Sequence, residues 1–165
     1  MRKILLIAGC LCLLVLGAAP VQAVTLHDLT ITLNDAGNAQ VHMGYELSLL
    51  EYTAVYLNLA NPATLIADNL RSALNRPVTV GKVDSNSVEL SILSFASVSD
   101  NNGVVTMSTP QLSFAKAQTA LKQYWFAPLI TTDFTPQTTT VTFPDGYQSV
   151  YKQQITLPAI THTLG

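Results

Sequence analysis

Two short turn clusters flanked by alternating hydrophobic residues are the feature that most constrains this fold. The first cluster is Asn34–Asn38 and the second is Pro144–Gly146. Alternation around each cluster places one set of side chains on a single face of a strand, and Asn, Asp, Gly and Pro favour tight turns. The pattern therefore predicts two antiparallel hairpins. In the second hairpin, the predicted buried face consists of Val141, Phe143, Tyr147, Tyr151, Ile155 and Leu157.

Three further strands are predicted in the middle of the chain. They cover Pro77–Val83, Ser87–Ser99 and Gly103–Ser108, and short polar clusters separate them. The residues in these clusters are Asp, Ser, Asn and Gly, most of which tolerate the backbone geometry of tight turns. An antiparallel meander is the simplest arrangement for the three strands.

Three other segments have helical spacing. The first is 49–59, which begins next to a capping-box pattern at Ser48–Glu51. The second has Pro62 at its first position and stops before Asn75, and the third is 113–126. The resulting order is ββ-αα-βββ-α-ββ. It predicts an α+β fold, in which a mainly antiparallel sheet of about seven strands carries about three helices on one face.

Residues 1–23 have the pattern of a cleavable signal peptide. Two basic residues precede an apolar run over 4–19, and small residues near the end suit cleavage after Ala23. A retained membrane anchor is one alternative, although this run is shorter than the roughly 20 residues that span a bilayer. Lipid attachment at Cys10 is a second alternative, because small residues precede that cysteine.

We expect 24–165 to form a single exported domain, secreted or associated with the cell envelope. Both cysteines of the chain lie in the leading segment, so no disulfide is expected and a hydrophobic core must stabilise the domain. Without Arg2 and Lys3, 6 basic residues remain against 10 acidic ones. Because nucleic-acid binding requires clustered Lys and Arg, we expect no nucleic-acid partner, and membrane contact only through 1–23 before its cleavage.

The sequence contains no motif typical of a catalytic or metal centre. We therefore expect a non-catalytic protein that holds no metal or cofactor. One alternative is a secreted hydrolase that uses His27 or His162 as its acid or base. In that case Asp28 or Asp133 would orient the imidazole, because both histidines lie near strand ends that a sheet can bring together.

Aromatic residues in two of the predicted helices suggest a second alternative. Tyr52 and Tyr56 are four residues apart, and Tyr124 and Trp125 lie at the end of the third helix. Such rings can line a cleft between helices and sheet. They would then bind a small apolar ligand or a carbohydrate.

The favoured hypothesis is a module that acts by surface recognition or self-association, with an envelope component or a second copy as partner. Ser87–Ser99 and Gln148–Leu157 carry few charges. Sheet edges with few charges can pair with a strand from another chain. Low overall charge, predicted export and strands with few charges together support this hypothesis over the two alternatives.

Overall fold

The computed structural model describes residues 22–46, 67–68, 70–72, 74–115, 119 and 131–165. Strands dominate this part of the chain. In chain order they are β1 (Gln22–Leu33), β2 (Ala39–Glu46), β3 (Val78–Val83), β4 (Ser87–Ile92), β5 (Ser97–Asn101), β6 (Val104–Ser108), β7 (Leu112–Ser113), β8 (Thr131–Asp133), β9 (Thr138–Thr142), β10 (Gln148–Lys152), β11 (Thr156–Leu157) and β12 (Thr161–Thr163).

The α+β prediction with about three helices is wrong. The described residues form mostly β-sheet, with one short helical piece and no helix of seven or more residues. That piece lies within 67–74, in the second predicted helix, and buries Ala67 and Leu70. The predicted helix 49–59 lies outside the described residues, as does most of 113–126, whose first residue Ser113 belongs to β7. Strand pairing overrides helical spacing at Ser113, which pairs with Thr156 of β11.

Both predicted hairpins are confirmed, although the second strand of the second hairpin ends at Lys152 and not at Leu157, because Gln153 has φ of 50° and Thr156–Leu157 pairs with β7. β1 pairs antiparallel with β2 around the first turn cluster, and β9 pairs antiparallel with β10 around the second. In the first turn, the Asn34 carboxamide oxygen accepts the N–H groups of Ala36 and Asn38. Gly37 has φ of 75°, which is the left-handed geometry expected of a turn glycine.

The largest sheet has seven strands in the order β10-β9-β1-β2-β4-β3, and β8 also pairs with β1. Most of its pairings are antiparallel, which confirms the predicted antiparallel sheet. The exceptions are β8 and β9, which both run parallel to β1. β1 therefore lies inside the sheet, whereas β10 and β3 form its two edges.

The predicted single strand Ser87–Ser99 is two strands in different sheets. β4 ends at Ile92 and stays in the large sheet, whereas β5 starts at Ser97 and pairs with β6. Ser94 between them has φ of 51°, so the extended backbone is interrupted at this point. Instead of one meander, the chain forms a second sheet of three strands in the order β12-β6-β5. A third sheet joins β11 to β7.

Apolar residues from the sheets and from the short helical piece share one hydrophobic core. Leu26 and Leu29 both point into it although they are three residues apart, and the β1–β2 register shifts between them. This bulge is required, because residues three apart in a regular strand face opposite sides. Among the described residues, no helix has the length and hydropathy needed to cross a membrane. The largest fully buried apolar side chains are Phe143, Leu26, Leu29, Ile31, Met43, Leu90, Ile92, Met107 and Val88.

Candidate functional site

The β9–β10 turn is closed by the carboxylate of Asp145. Its Oδ1 accepts the N–H of Tyr147 at 3.1 Å, and the N–H of Phe143 donates to the carbonyl of Tyr147 at 2.9 Å. Gly146 supplies φ of 86° at the position that needs it. The turn chemistry was predicted from the residues Pro144–Gly146 alone, and the structure confirms it.

The same carboxylate also holds the last strand of the chain. The Oδ2 atom of Asp145 lies 2.7 Å from Nε2 of His162 in β12 and accepts the N–H of Gly165 at 3.3 Å. The side chains of His162 and Asp145 are only 20% and 16% exposed. This carboxylate therefore connects the edge hairpin of the large sheet to the three-stranded sheet.

Two aromatic rings enclose the imidazole of His162. Tyr147 stacks on it with a centroid separation of 4.1 Å and an interplanar angle of 12°, and Phe143 meets it edge-on at 5.0 Å. We call Phe143, Asp145, Tyr147 and His162 the hairpin clamp. Tyr147 was predicted to be buried, yet it is 47% exposed, because its ring covers the imidazole at the margin of the core.

The hydrogen bonds of the clamp lower the pKa of Asp145 to about 2. The hydrogen bond from His162 is the largest cause, and the backbone N–H of Tyr147 is the second. Each donor stabilises the ionised carboxylate. Because the pKa falls on folding, the clamp stabilises the fold above the unfolded pKa, near 3.8, and this contribution is lost as the pH falls towards about 2.

The predicted pairing of His27 or His162 with Asp28 or Asp133 is not found among the described contacts. The carboxylate nearest His27 belongs to Glu46, whose Oε2 lies 3.3 Å from Nε2 of His27. This distance suits an ion pair, but the two groups do not meet the geometry of a hydrogen bond. Asp133 instead accepts the N–H of Thr135.

The carboxylate of Asp28 lies beside Gly44, and none of the described hydrogen bonds or ion pairs joins it to a histidine. His162 does have a carboxylate that can orient it, that of Asp145. A histidine beside a carboxylate is the arrangement of an acid–base pair. Within the described part of the chain, however, no Ser or Thr hydroxyl bonds to His162 as a nucleophile would.

The aromatic ligand-binding residues Tyr52, Tyr56, Tyr124 and Trp125 all lie outside the described residues. Their predicted role stays a prediction. Within the described ranges, no group of three or more His, Cys, Asp or Glu residues lies close enough to hold a metal ion.

The outer edge of β10 is an accessible interaction surface in the described structure. Tyr147 and Gln153 make backbone hydrogen bonds across to Phe143 and Gln137, which sets the phase of the antiparallel ladder. Bonded and non-bonded pairs alternate in such a ladder. The backbone groups of Gln148, Val150 and Lys152 therefore point away from β9, in the plane of the sheet.

No described strand pairs with this outer edge, since β10 ends the strand order. The side chain at its centre, Val150, is 55% exposed, which is the largest exposure among the large hydrophobic residues described. We call the outward groups of Gln148, Val150 and Lys152 the β10 edge. The low charge of Gln148–Leu157 predicts a potential edge, but only the strand order identifies β10 as the terminal strand.

The opposite edge of the same sheet is irregular and partly occupied. The N–H of Leu93 donates to the carbonyl of Pro77, so the carbonyl of Val78 points outward, and it accepts a hydrogen bond of 2.8 Å from the Arg71 guanidinium. The register of β3 also shifts between Val80 and Val83. Such bulges are a typical means of preventing strand addition.

β5 and β12, the outer strands of the three-stranded sheet, are less suitable for strand addition. β5 has five residues like β10, and all of them are exposed, but one of them is the charged Asp100, whose carboxylate accepts the N–H of Gly103. β12 has only three residues. The β10 edge is distinguished by three outward-pointing backbone positions with an exposed hydrophobic residue, Val150, at their centre. No protein-family model, curated protein or solved structure matches this chain.

Proposed function

We propose that this chain is an exported, secreted or envelope-associated module that acts through β-sheet extension at the β10 edge. Its partner adds a strand beside β10 and becomes the next strand of the large sheet. The single observation that carries this proposal is the outward-pointing backbone of Gln148, Val150 and Lys152 on a terminal strand without a described neighbour. Backbone hydrogen bonds provide the affinity in this mode of recognition, and side-chain contacts provide its specificity.

The contrast between the two edges of the large sheet supports this assignment. At β3, Arg71 occupies an outward carbonyl and the register shift breaks the regular row of backbone groups. At β10, the register with β9 is regular over all five pairs. A regular, unshifted strand can accept a partner along its whole length, whereas a bulged strand cannot.

The hairpin clamp favours association because it orders the β10 edge before a partner arrives. Asp145 fixes the turn and His162, and Tyr147 stacks on that imidazole immediately before β10 begins. An edge strand that is already ordered loses less conformational entropy on binding. The clamp therefore serves as a positioning device for the interaction surface.

Replacing Val150 by Pro tests the proposal. The N–H of Val150 points away from β9, so its loss breaks no bond of the β9–β10 ladder, and Pro is tolerated at such edge positions. The measurement is co-sedimentation of the purified chain with the envelope fraction of the cells that produce it. We expect the wild-type chain to sediment and Val150→Pro to remain in the supernatant.

The matched control is Val150→Thr, which keeps the N–H group and the β-branched shape. It should sediment like the wild type. Circular dichroism of both variants checks that the sheet is intact. Equal sedimentation of Val150→Pro and the wild type would contradict the proposed role of the β10 edge.

A further inference from the structure

We infer that a second copy of this chain occupies the β10 edge, in an antiparallel register with a two-fold axis at Val150. This inference rests on the proposed function and names its partner. The two large sheets would then join into one continuous sheet across the axis. A two-fold contact uses the same surface on both copies, so the surface must be complementary to itself.

The backbone of the β10 edge meets this requirement. The outward residues are Gln148, Val150 and Lys152, which are spaced symmetrically about Val150. A two-fold axis at Val150 pairs this residue with its counterpart, and pairs Gln148 with Lys152 of the other copy. All three residues have outward N–H and C=O groups, so each pair can exchange two hydrogen bonds, about six in total.

The side chains are complementary in the same register. The two Val150 side chains become direct neighbours, next to the Thr140 side chains with which they already pair inside each copy. A row of β-branched residues across neighbouring strands packs favourably. Gln148 faces the Lys152 ammonium of the other copy, and its amide oxygen can accept a hydrogen bond from that group.

Charge and strand length disfavour the competing arrangements. A two-fold axis at Lys152 would place two lysines directly opposite each other, and a parallel arrangement would bring the same two charges close together. Like charges in directly opposed positions destabilise a sheet. An axis at Gln148 avoids this repulsion, but it leaves Val150 and Lys152 partly beyond the shared strand. The register centred on Val150 alone uses all three outward residues without opposing like charges.

The shared strand has five residues, so the contact is small. Interfaces of this size belong to the weak, transient class, and we expect a dissociation constant of roughly 10 μM to 1 mM. Sedimentation equilibrium of the purified chain over that concentration range measures it directly. The wild type should show a monomer–dimer equilibrium.

Two substitutions test the register. Gln148→Lys places a second lysine opposite Lys152 of the other copy, so we expect dimerisation at least tenfold weaker, by an order-of-magnitude estimate. The double variant Gln148→Lys with Lys152→Gln restores an unlike pair in the same register. It should return the dissociation constant to within about threefold of the wild-type value.

A further pair of variants tests whether Val150 lies at the centre of the contact. Val150→Lys places two lysines on the two-fold axis and should abolish the dimer. Its control is Val104→Lys in β6, because Val104 is 54% exposed and lies away from the β10 edge. This control should dimerise like the wild type.

A wild-type chain that stays monomeric at all these concentrations would overturn the inference. A double variant as weak as Gln148→Lys alone would overturn the register. Neither result would remove the proposed function if Val150→Pro still loses envelope association, because the partner would then be another polypeptide. If Val150→Pro sediments with the envelope like the wild type, the proposed function itself fails.

Discussion

The two hairpins of this protein have the same kind of sequence pattern but different positions in the large sheet. β1 and β2 lie inside the sheet, with β9 and β4 as their outer neighbours. β9 and β10 lie at the edge, and β10 has no described neighbour on its outer side. Alternation around a turn thus predicts a hairpin. The place of that hairpin in the sheet determines whether the hairpin backbone can bind another chain.

The two turns differ in the same way. The first turn packs against the chain between β4 and β5, where the carbonyl of Gly37 accepts the N–H of Ala96 at 2.8 Å. The second turn carries Gly146, which has open space around its Cα, and is held by the side chain of Asp145. The side chains of Asn34 and Asp145 close their own turns in a similar way. The difference is that backbone packing on the β4–β5 connection also fixes the inner turn, whereas the contacts of His162 with Asp145 and two aromatic rings fix the outer one.

Proline substitutions should show the largest difference between the two hairpins in the free energy of unfolding that is lost. His42 is an exposed residue of β2 that pairs with both Thr30 of β1 and Glu89 of β4. His42→Pro removes a hydrogen bond from a strand that is paired on both sides, so we expect a loss of about 3 kcal/mol in the free energy of unfolding. Val150→Pro should cost less than about 1 kcal/mol. Urea denaturation of both variants measures this difference, and similar losses would contradict the assignment of β10 as an open edge.

Replacing the two turn glycines by alanine should show a smaller difference in stability. The inner hairpin should again lose more than the outer one. A Cβ atom on Gly37 would lie 2.4 Å from the carbonyl oxygen of Ala96, whereas a Cβ on Gly146 meets nothing within 4 Å. Both residues have positive φ, so both variants are strained. We expect a loss of about 3 kcal/mol for Gly37→Ala and about 1 kcal/mol for Gly146→Ala. Thermal unfolding measures the stability of both variants. A lower stability of Gly146→Ala than of Gly37→Ala would contradict this expectation.

The pH dependence of stability should reveal the clamp of the outer hairpin. Above pH 4, Asp145→Asn should lower the urea midpoint, because the amide cannot accept the hydrogen bonds of His162 and Tyr147 as an anion does. The pKa of Asp145 is lowered to about 2, so the difference between wild type and variant should shrink as the pH falls from about 4 to about 2. Asp100→Asn is the control, since Asp100 lies in β5, outside the clamp, and its carboxylate also accepts a backbone N–H. A difference in urea midpoint between the wild type and Asp145→Asn that does not change with pH would contradict the stabilising role of the clamp.

Local parts of this structure could be predicted from the sequence, and non-local parts could not. The turns at Asn34–Asn38 and Pro144–Gly146 were predicted because Asn, Asp, Gly and Pro determine the backbone within a few residues. The parallel pairing of β9 with β1 joins residues that are about a hundred positions apart. Pairing at that distance depends on the whole core, and alternation within one strand carries no information about it.

The candidate site shows the same limit. The turn at Pro144–Gly146 was predicted from its residues, but the bond between Asp145 in that turn and His162 was not, because His162 lies in a different sheet from the β9–β10 hairpin. Ser87–Ser99 was predicted as one strand because its composition is uniform, and only the positive φ of Ser94 reveals the break. The candidate edge Gln148–Leu157 was found by its low charge, whereas its exposure follows from the strand order.

Amide hydrogen exchange along β10, followed by NMR in dilute and concentrated samples, tests the central claim most directly. The amides of Ser149 and Tyr151 point towards β9 and should be protected in both samples. The outward amides of Gln148, Val150 and Lys152 should exchange rapidly in the dilute sample and slowly in the concentrated one. Rapid exchange of these three amides at every concentration, in the absence and in the presence of the envelope fraction, would contradict the account.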